Sequence, residues 1–133
     1  MVRTAFHTNN TDNCARVCHA PTVAGLATTL GSGAMTNTIA DITQDSDLIM
    51  LVGSNPEHAH PVLGMQIRRA VHKGTKLIVV DPRDIDLAHA ADVHLKLTPG
   101  TNVAFANGMM NIILSEVLRI ANLSRSVLRT SRK

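Results

Sequence analysis

The chain has 133 residues, 44% of them hydrophobic, and a formal net charge of +3 at pH 7. This length indicates one domain, and this apolar content excludes wholesale disorder. No Trp or Tyr and only two Phe are present, so the core must be aliphatic. No apolar run approaches the roughly 20 residues of a membrane span, and the polar start lacks the apolar core of a signal peptide.

The cysteine content indicates a cytoplasmic location, and the charge distribution does not indicate a nucleic-acid partner. Two cysteines without a secretory signal do not suggest a disulfide framework and favour a reducing, cytoplasmic location. Much of the positive charge lies in a basic tail, residues 119–133, which we expect to be disordered or divergent. Because no aromatic stacking residues accompany its arginines, the tail does not predict a nucleic-acid partner.

The first third of the chain is predicted to be a loop followed by helices. Residues 1–14 are polar and rich in turn formers, which predicts the loop. Pro21 suits the first turn of a helix, where a missing N–H costs little, and Gly31 can end that helix. A further short helix is expected from Met35 to Ile42.

Three apolar runs, at residues 47–53, 76–82 and 92–97, predict strands. The first two are solidly apolar, which is typical of strands buried on both faces of a parallel sheet. A helical pattern lies between the first two runs, and about two helical turns lie between the second and the third. A long helix follows, with Thr101 or Asn102 at its N-cap. The predicted fold is α/β, a small doubly wound, Rossmann-like parallel sheet with helices on both faces.

Polar loops follow the predicted strands, at the sheet edge where such folds bind ligands. Gly53 would let a ligand approach the backbone, and Ser54 and Asn55 supply short hydrogen-bonding groups. The third loop begins a helix at residues 100–102, and the free N–H groups of a helix start favour anions.

The loop after the second strand adds two charged groups. Asp81 resembles the carboxylate that binds ribose hydroxyls in dinucleotide-binding folds, and Arg83 could pair with a phosphate or stack on a base. Each loop alone also fits ordinary turn or capping chemistry, and the GxGxxG fingerprint of an NAD site is absent. Because the three loops follow parallel strands and so lie at the same sheet edge, together they favour a nucleotide-binding site at that edge. Its candidate residues are Gly53, Ser54, Asn55, Asp81, Pro82, Arg83, Gly100 and Asn102.

The two cysteines stand in the segment CARVCHAP. One C-x3-C without a second pair is not a structural zinc pattern, and an iron–sulfur cluster needs four thiolates. We interpret Cys14 as structural. Cys18 lies in a loop before a predicted helix start, whose dipole favours the thiolate, and with His19 it offers a soft metal ligand beside a proton carrier. His58 and His60 could join a metal site, although a solvated loop suits them better.

From Asn9 to Val117 the sequence resembles the catalytic (alpha) subunit of molybdopterin-dependent formate dehydrogenases. The residues that carry the resemblance are RVCHAPTV, which fits the family motif R-V-C-H-x-P-[ST]-V, and the later segments VGSNPEHAHPV, IVVDPRD and LTPGTNVA. The first motif is specific to that family. The later segments are shared more broadly by enzymes with the bis(molybdopterin guanine dinucleotide) cofactor.

The resemblance implies a catalytic site and a cofactor site. Cys18 matches the cysteine or selenocysteine that ligates molybdenum or tungsten, and His19 matches the histidine that assists as formate loses its hydrogen. Formate would be oxidised to CO2, with two electrons leaving through the pterin. The residues that match the loops around one guanosine arm of the cofactor are Gly53, Ser54, Asn55, His58, Asp81, Pro82, Arg83, Gly100 and Asn102.

The resemblance also implies missing parts. The family's subunit is several times longer and carries a 4Fe–4S cluster on four cysteines, an electron-transfer lysine and a formate-orienting arginine that have no match here. We therefore expect a fragment that binds no cluster and is inactive alone. Its expected parts are a loop with Cys18 (residues 1–20), an α/β domain for molybdopterin guanine dinucleotide (21–118) and the basic tail.

The expected partners are formate and the remaining domains or electron-transfer subunits of a formate dehydrogenase. Two alternatives stay open. One is a non-catalytic nucleotide-binding α/β domain, and the other is a related molybdopterin enzyme such as a nitrate reductase.

Overall fold

The computed structural model describes residues 1–34 and 37–116. These residues belong to two compact units, one within 1–34 and the other within 37–116, and each is described by itself. The basic tail and Met35, where a helix was expected to begin, lie outside the described residues. Within the described ranges, no helix combines the length and the apolar character needed to cross a membrane.

The first unit consists of short helices. They are α1 (Val2–Ala5), α2 (Ala15–Cys18) and α3 (Ala20–Leu30). Pro21 lies in the first turn of α3, as predicted. Gly31 follows the last turn with a φ of 82° and donates its N–H to the Ala27 carbonyl. Because glycine adopts this left-handed conformation without steric cost, both predicted ends of the helix are confirmed.

The predicted loop over residues 1–14 is wrong at its start. Ala5 and Phe6 donate their N–H groups to the carbonyls of Met1 and Val2, at 2.8 and 2.9 Å, and close one helical turn. Residues 2–5 contain no Gly, Pro or Asn to oppose that turn. The turn-forming residues begin only after Phe6.

The second unit contains a parallel sheet of three strands in the order β1-β2-β3. The strands are β1 (Leu48–Val52), β2 (Lys76–Val80) and β3 (Val93–Leu95). Val52 pairs with Val80, and Val80 pairs with Leu95, so the three carboxyl ends meet at one edge. The chain therefore has the predicted α/β fold with a small, Rossmann-like parallel sheet.

Helices precede, connect and follow these strands. They are α4 (Ile39–Gln44), α5 (Pro56–Ala59), α6 (Pro61–His72), a 3₁₀ helix (Asp86–Ala90) and α7 (Asn102–Ser115). The expected single helix between the first two strands is divided at His60, whose φ and ψ are −143° and 68°. A residue before proline is driven out of the helical region, so Pro61 ends α5 and begins α6. The short helix after residue 34 runs to Gln44, two residues past its predicted end.

The core lies between the sheet and the helices on one of its faces. Ile49, Leu77 and Val79 of the strands pack with Ile67 of α6 and Leu87 of the 3₁₀ helix. All five are nearly or completely buried. Burying an aliphatic side chain of this size stabilises a fold by about 1.5–3 kcal/mol, so this aliphatic cluster is the main stabilising feature of the second unit.

The opposite face of β1 is exposed. Its outward side chains, Leu48, Met50 and Val52, are each about half accessible. The expectation that β1 is buried on both faces is therefore not met within residues 37–116. An apolar run shows that both faces of a strand carry apolar side chains. It does not show which element packs against each face, so it is compatible with burial of only one of them.

Candidate functional site

The three predicted loops of the second unit begin along one sheet edge. The Gly53 N–H donates to the Val80 carbonyl at 2.8 Å, and the Asp81 N–H donates to the Leu95 carbonyl at 3.2 Å. These two bonds extend the hydrogen bonding between the strands by one residue beyond the ends of β1 and β2. The chain therefore brings the first two loops to the same rim, as their position after parallel strands predicted.

The loop at residues 53–55 combines an open backbone position with a buried amide oxygen that has no partner. Gly53 has a φ of 58°, and a Cβ added there would meet no heavy atom within 4 Å. The Asn55 Oδ1 is buried and accepts no hydrogen bond. An unsatisfied buried acceptor costs free energy that a ligand N–H or O–H would recover. Ser54 is half-buried and His58, in the adjacent α5, is exposed.

Asp81 and Arg83 form a close ion pair at the rim. The Asp81 Oδ1 accepts from the Arg83 N–H at 2.8 Å and from Nε at 3.0 Å, and Oδ2 accepts from Nη2 at 2.9 Å. The two bonds from the Arg83 side chain are the main cause that holds the pKa of Asp81 below its usual value, and the bond from the Arg83 backbone N–H acts in the same direction. Asp81 in turn raises the pKa of Arg83.

The two partners differ in accessibility. The Asp81 side chain is 1% exposed and that of Arg83 is 63% exposed. A ribose hydroxyl at Asp81 would have to share a carboxylate that Arg83 already occupies. The exposed guanidinium, in contrast, is held by this bidentate pair through Nε and Nη2, which leaves its planar face and its remaining N–H groups for a base or an anion.

Three residues that the sequence analysis did not single out support this turn. The His94 Nε2 lies 2.9 Å from the Asp81 carbonyl oxygen. The Lys96 Nζ donates to the Asp84 Oδ2 at 2.8 Å, and this bond is the main cause of the lowered pKa of Asp84. The period of two along DVHLKL places His94 and Lys96 on one side of the chain, so their common direction could have been read from the sequence.

The third loop leads into α7. The Thr101 N–H and Oγ1 both donate to the Thr98 carbonyl, at 3.1 and 2.7 Å. Gly100 has a φ of 91°, a conformation that favours glycine. Thr101 is the N-cap, one of the two predicted residues, but its side chain does not cap the helix. Asn102 begins α7, so the first N–H groups of this helix receive no side-chain cap from Thr101.

In the first unit, the cysteine pair lies on one short helix. Cys14 is the N-cap of α2 and Cys18 is its last residue, with the Cys18 N–H donating to the Cys14 carbonyl at 2.9 Å. Cys18 therefore ends a helical turn, where a loop was predicted. His19 separates α2 from α3. Both thiols are free and exposed, so the interpretation of Cys14 as a structural cysteine has no support from burial.

Within residues 1–34 and 37–116, no three His, Cys, Asp or Glu side chains form a group that could hold a metal ion. Among these described residues, no third His, Cys, Asp or Glu side chain therefore lies close enough to His58 and His60 to complete a metal site.

The fold places the chain in a general class first, α/β domains whose parallel strands bring their carboxyl ends to one edge of the sheet. Residues 2–122 match the family model described as molybdopterin oxidoreductase. The chain therefore belongs to the molybdopterin oxidoreductase family.

Similar proteins from that family are named for formate and for nitrate. The chain is 49% identical over 118 residues to F420-dependent formate dehydrogenase 1 subunit alpha of Methanococcus maripaludis, a match of 89% of this chain and 17% of the relative. It is 44% identical over 118 residues to formate dehydrogenase H of Escherichia coli, covering 89% of this chain and 16% of the relative. It is 41% identical over 115 residues to the periplasmic nitrate reductase of Desulfovibrio desulfuricans, covering 85% and 15%. The chain thus spans about one sixth of the length of these relatives.

Proposed function

We propose that this chain supplies the metal-ligand segment and one cofactor-binding domain of a molybdopterin-dependent formate dehydrogenase. The observation that carries the proposal is the Cys18-His19 pair, which places a free, exposed thiol next to an imidazole at the end of α2. The relatives named for formate, at 44–50% identity, support it.

Cys18 is proposed to ligate molybdenum or tungsten, and His19 to take up a proton. When bound, the cofactor accepts the two electrons released as formate becomes CO2. Breaking the C–H bond of formate also releases one proton, which needs an acceptor. A histidine ring nitrogen is a common proton acceptor in catalysis, so His19 can hold that proton and pass it to solvent.

The rim of the second unit is proposed to bind one guanosine arm of bis(molybdopterin guanine dinucleotide). The backbone at Gly53 is open to ligand atoms, and the buried Asn55 Oδ1 would gain a hydrogen bond from any ligand donor that reaches it. The exposed guanidinium of Arg83 adds a cation or stacking surface. The proposed cofactor-binding residues also include Ser54, His58, Asp81, Pro82, Gly100 and Asn102.

A chimera tests the catalytic assignment. Residues 2–122 of this chain replace the matching segment of the Escherichia coli relative, and formate-dependent dye reduction is measured with metal content. Cys18→Ala should lower activity by at least about 100-fold, because even residues that only support metal ligands cost up to that factor. Cys14→Ala, which changes the other exposed thiol, should leave it unchanged.

His19→Gln separates the proton role from metal binding. General acid–base groups contribute about 10²–10⁴-fold, so turnover should fall by at least about 100-fold while metal content stays constant. Activity that survives Cys18→Ala would show that the ligand assignment is wrong. Full activity in His19→Gln would show that the proton goes elsewhere.

The partners proposed for this chain are formate and the remaining domains or electron-transfer subunits of the enzyme, in the cytoplasm. A 4Fe–4S cluster would be held by those other parts, because this chain has only two cysteines. The relative named for nitrate supports one alternative. Nitrate-dependent oxidation of a reduced dye by the chimera, without formate activity, would favour it.

A further inference from the structure

His94 connects β3 to the turn that carries Arg83. Its side chain is 18% exposed, with Nε2 2.9 Å from the Asp81 carbonyl oxygen and Nδ1 3.7 Å from the Asp84 Oδ1. A carbonyl oxygen can only accept a hydrogen bond, so Nε2 must carry the hydrogen. Nδ1 is therefore the nitrogen that faces the Asp84 carboxylate, either with a hydrogen or with a lone pair.

The charged groups around this imidazole are mostly paired with one another. Lys96 binds the Asp84 carboxylate at 2.7 Å, and Arg83 binds that of Asp81. His89 and His94 both favour the charged form of Asp84, behind the larger effect of Lys96.

The charge on Nδ1 changes how β3 holds the turn. A protonated Nδ1 faces the Asp84 carboxylate as a cation facing an anion. An unprotonated Nδ1 presents a lone pair to the same carboxylate. Protonation therefore tightens the link between the strand and the turn, and it adds one positive charge beside Arg83.

We propose that His94 is a positioning residue for the 81–84 turn, and that its protonation raises the affinity of this edge for an anionic guanine nucleotide. The inference rests on the proposed cofactor-binding function of the edge. The turn presents the exposed Arg83 guanidinium, and an anion bound there gains from a fixed guanidinium and from the added charge.

The test measures GDP binding by calorimetry, with the full chain, at about pH 5.5 and about pH 8, on either side of the range in which imidazoles titrate. His94→Gln keeps an N–H donor for the Asp81 carbonyl but cannot titrate. His72→Gln, at the exposed end of α6, is the matched control. Each variant is compared with the unsubstituted chain at the same pH, so that titration of GDP itself cancels.

At about pH 5.5 the unsubstituted chain should bind GDP about twofold to fivefold more tightly than His94→Gln, the range of a partly exposed ion pair. At about pH 8 the two should bind equally. His72→Gln should match the unsubstituted chain at both values. Equal affinities of His94→Gln and the unsubstituted chain at both values overturn the proposal, as does a His72→Gln effect of the same size.

A second measurement separates this inference from the proposed nucleotide site. The NMR resonance of the Arg83 Nε–H should move between about pH 8 and about pH 5.5 in the unsubstituted chain and stay in place in His94→Gln. If no GDP binding occurs at any pH, the nucleotide edge is wrong and the resonance alone decides the role of His94. A resonance that is unmoved in the unsubstituted chain, or that moves equally in His94→Gln, overturns that role.

Discussion

Replacing Gly64 by alanine tests the close approach of α5 and α6, on which the loop at residues 53–55 depends. A Cβ at Gly64 would lie 2.8 Å from both the N and the Cα of Glu57, closer than real Cβ contacts come. Alanine gains about 1 kcal/mol over glycine in a helix interior. Overpacking against backbone costs about 1–3 kcal/mol. With a cost of about 2 kcal/mol against a gain of about 1 kcal/mol, we expect a net loss of about 1 kcal/mol.

Gly108→Ala is the matched control, because it makes the same substitution inside α7. A Cβ at Gly108 would meet no heavy atom within 4 Å. Only the helix-propensity term then applies, so this variant should gain about 1 kcal/mol. Urea unfolding of the full chain, followed by circular dichroism, gives both values from the shift of the midpoint at constant slope.

The two substitutions should move the urea midpoint in opposite directions. A stabilised Gly64→Ala chain would show that α5 can withdraw from α6 without cost. The reasoning that a missing Cβ holds the start of α5 in place, and with it Asn55, would then be refuted. A destabilised Gly108→Ala chain would instead contradict the open surroundings of α7.

Two further predictions concern acid sensitivity and the core. The pKa of Asp81 in the folded chain lies below the usual 3.8, so the stability that the ionised carboxylate gives the fold is complete above about pH 4 and is lost as the pH falls through the folded value. Asp81→Asn should therefore show a shallower loss of unfolding free energy below about pH 4. Plots of unfolding free energy against pH that run parallel for the variant and the unsubstituted chain would contradict this. Leu87→Ala, at a fully buried position, should cost about 2–5 kcal/mol in urea unfolding, whereas Leu114→Ala, at 59% exposure, should change it by less than about 0.5 kcal/mol. Similar effects of the two leucine substitutions would place the core elsewhere.

Local signals in the sequence determined much of the fold. The apolar runs at residues 47–53 and 76–82 contain β1 and β2, and Pro21 and Gly31 mark the ends of α3. These signals act within a few residues, through the missing N–H of proline, the left-handed freedom of glycine and the period of a buried strand. The family motif around Cys18 and His19 is also a property of consecutive residues, which is why it could be recognised without coordinates.

The burial of side chains, and the contacts between residues distant in the chain, could be seen only in the tertiary structure. The pair of Asp81 and Arg83 hides the carboxylate and leaves the guanidinium exposed, a division that the letters Asp-Pro-Arg do not contain. His94 reaches Asp81, thirteen residues away along the chain, because β3 pairs with β2. Burial and hydrogen bonding depend on which elements become neighbours, and strand pairing sets those neighbours after the local signals have formed the strands.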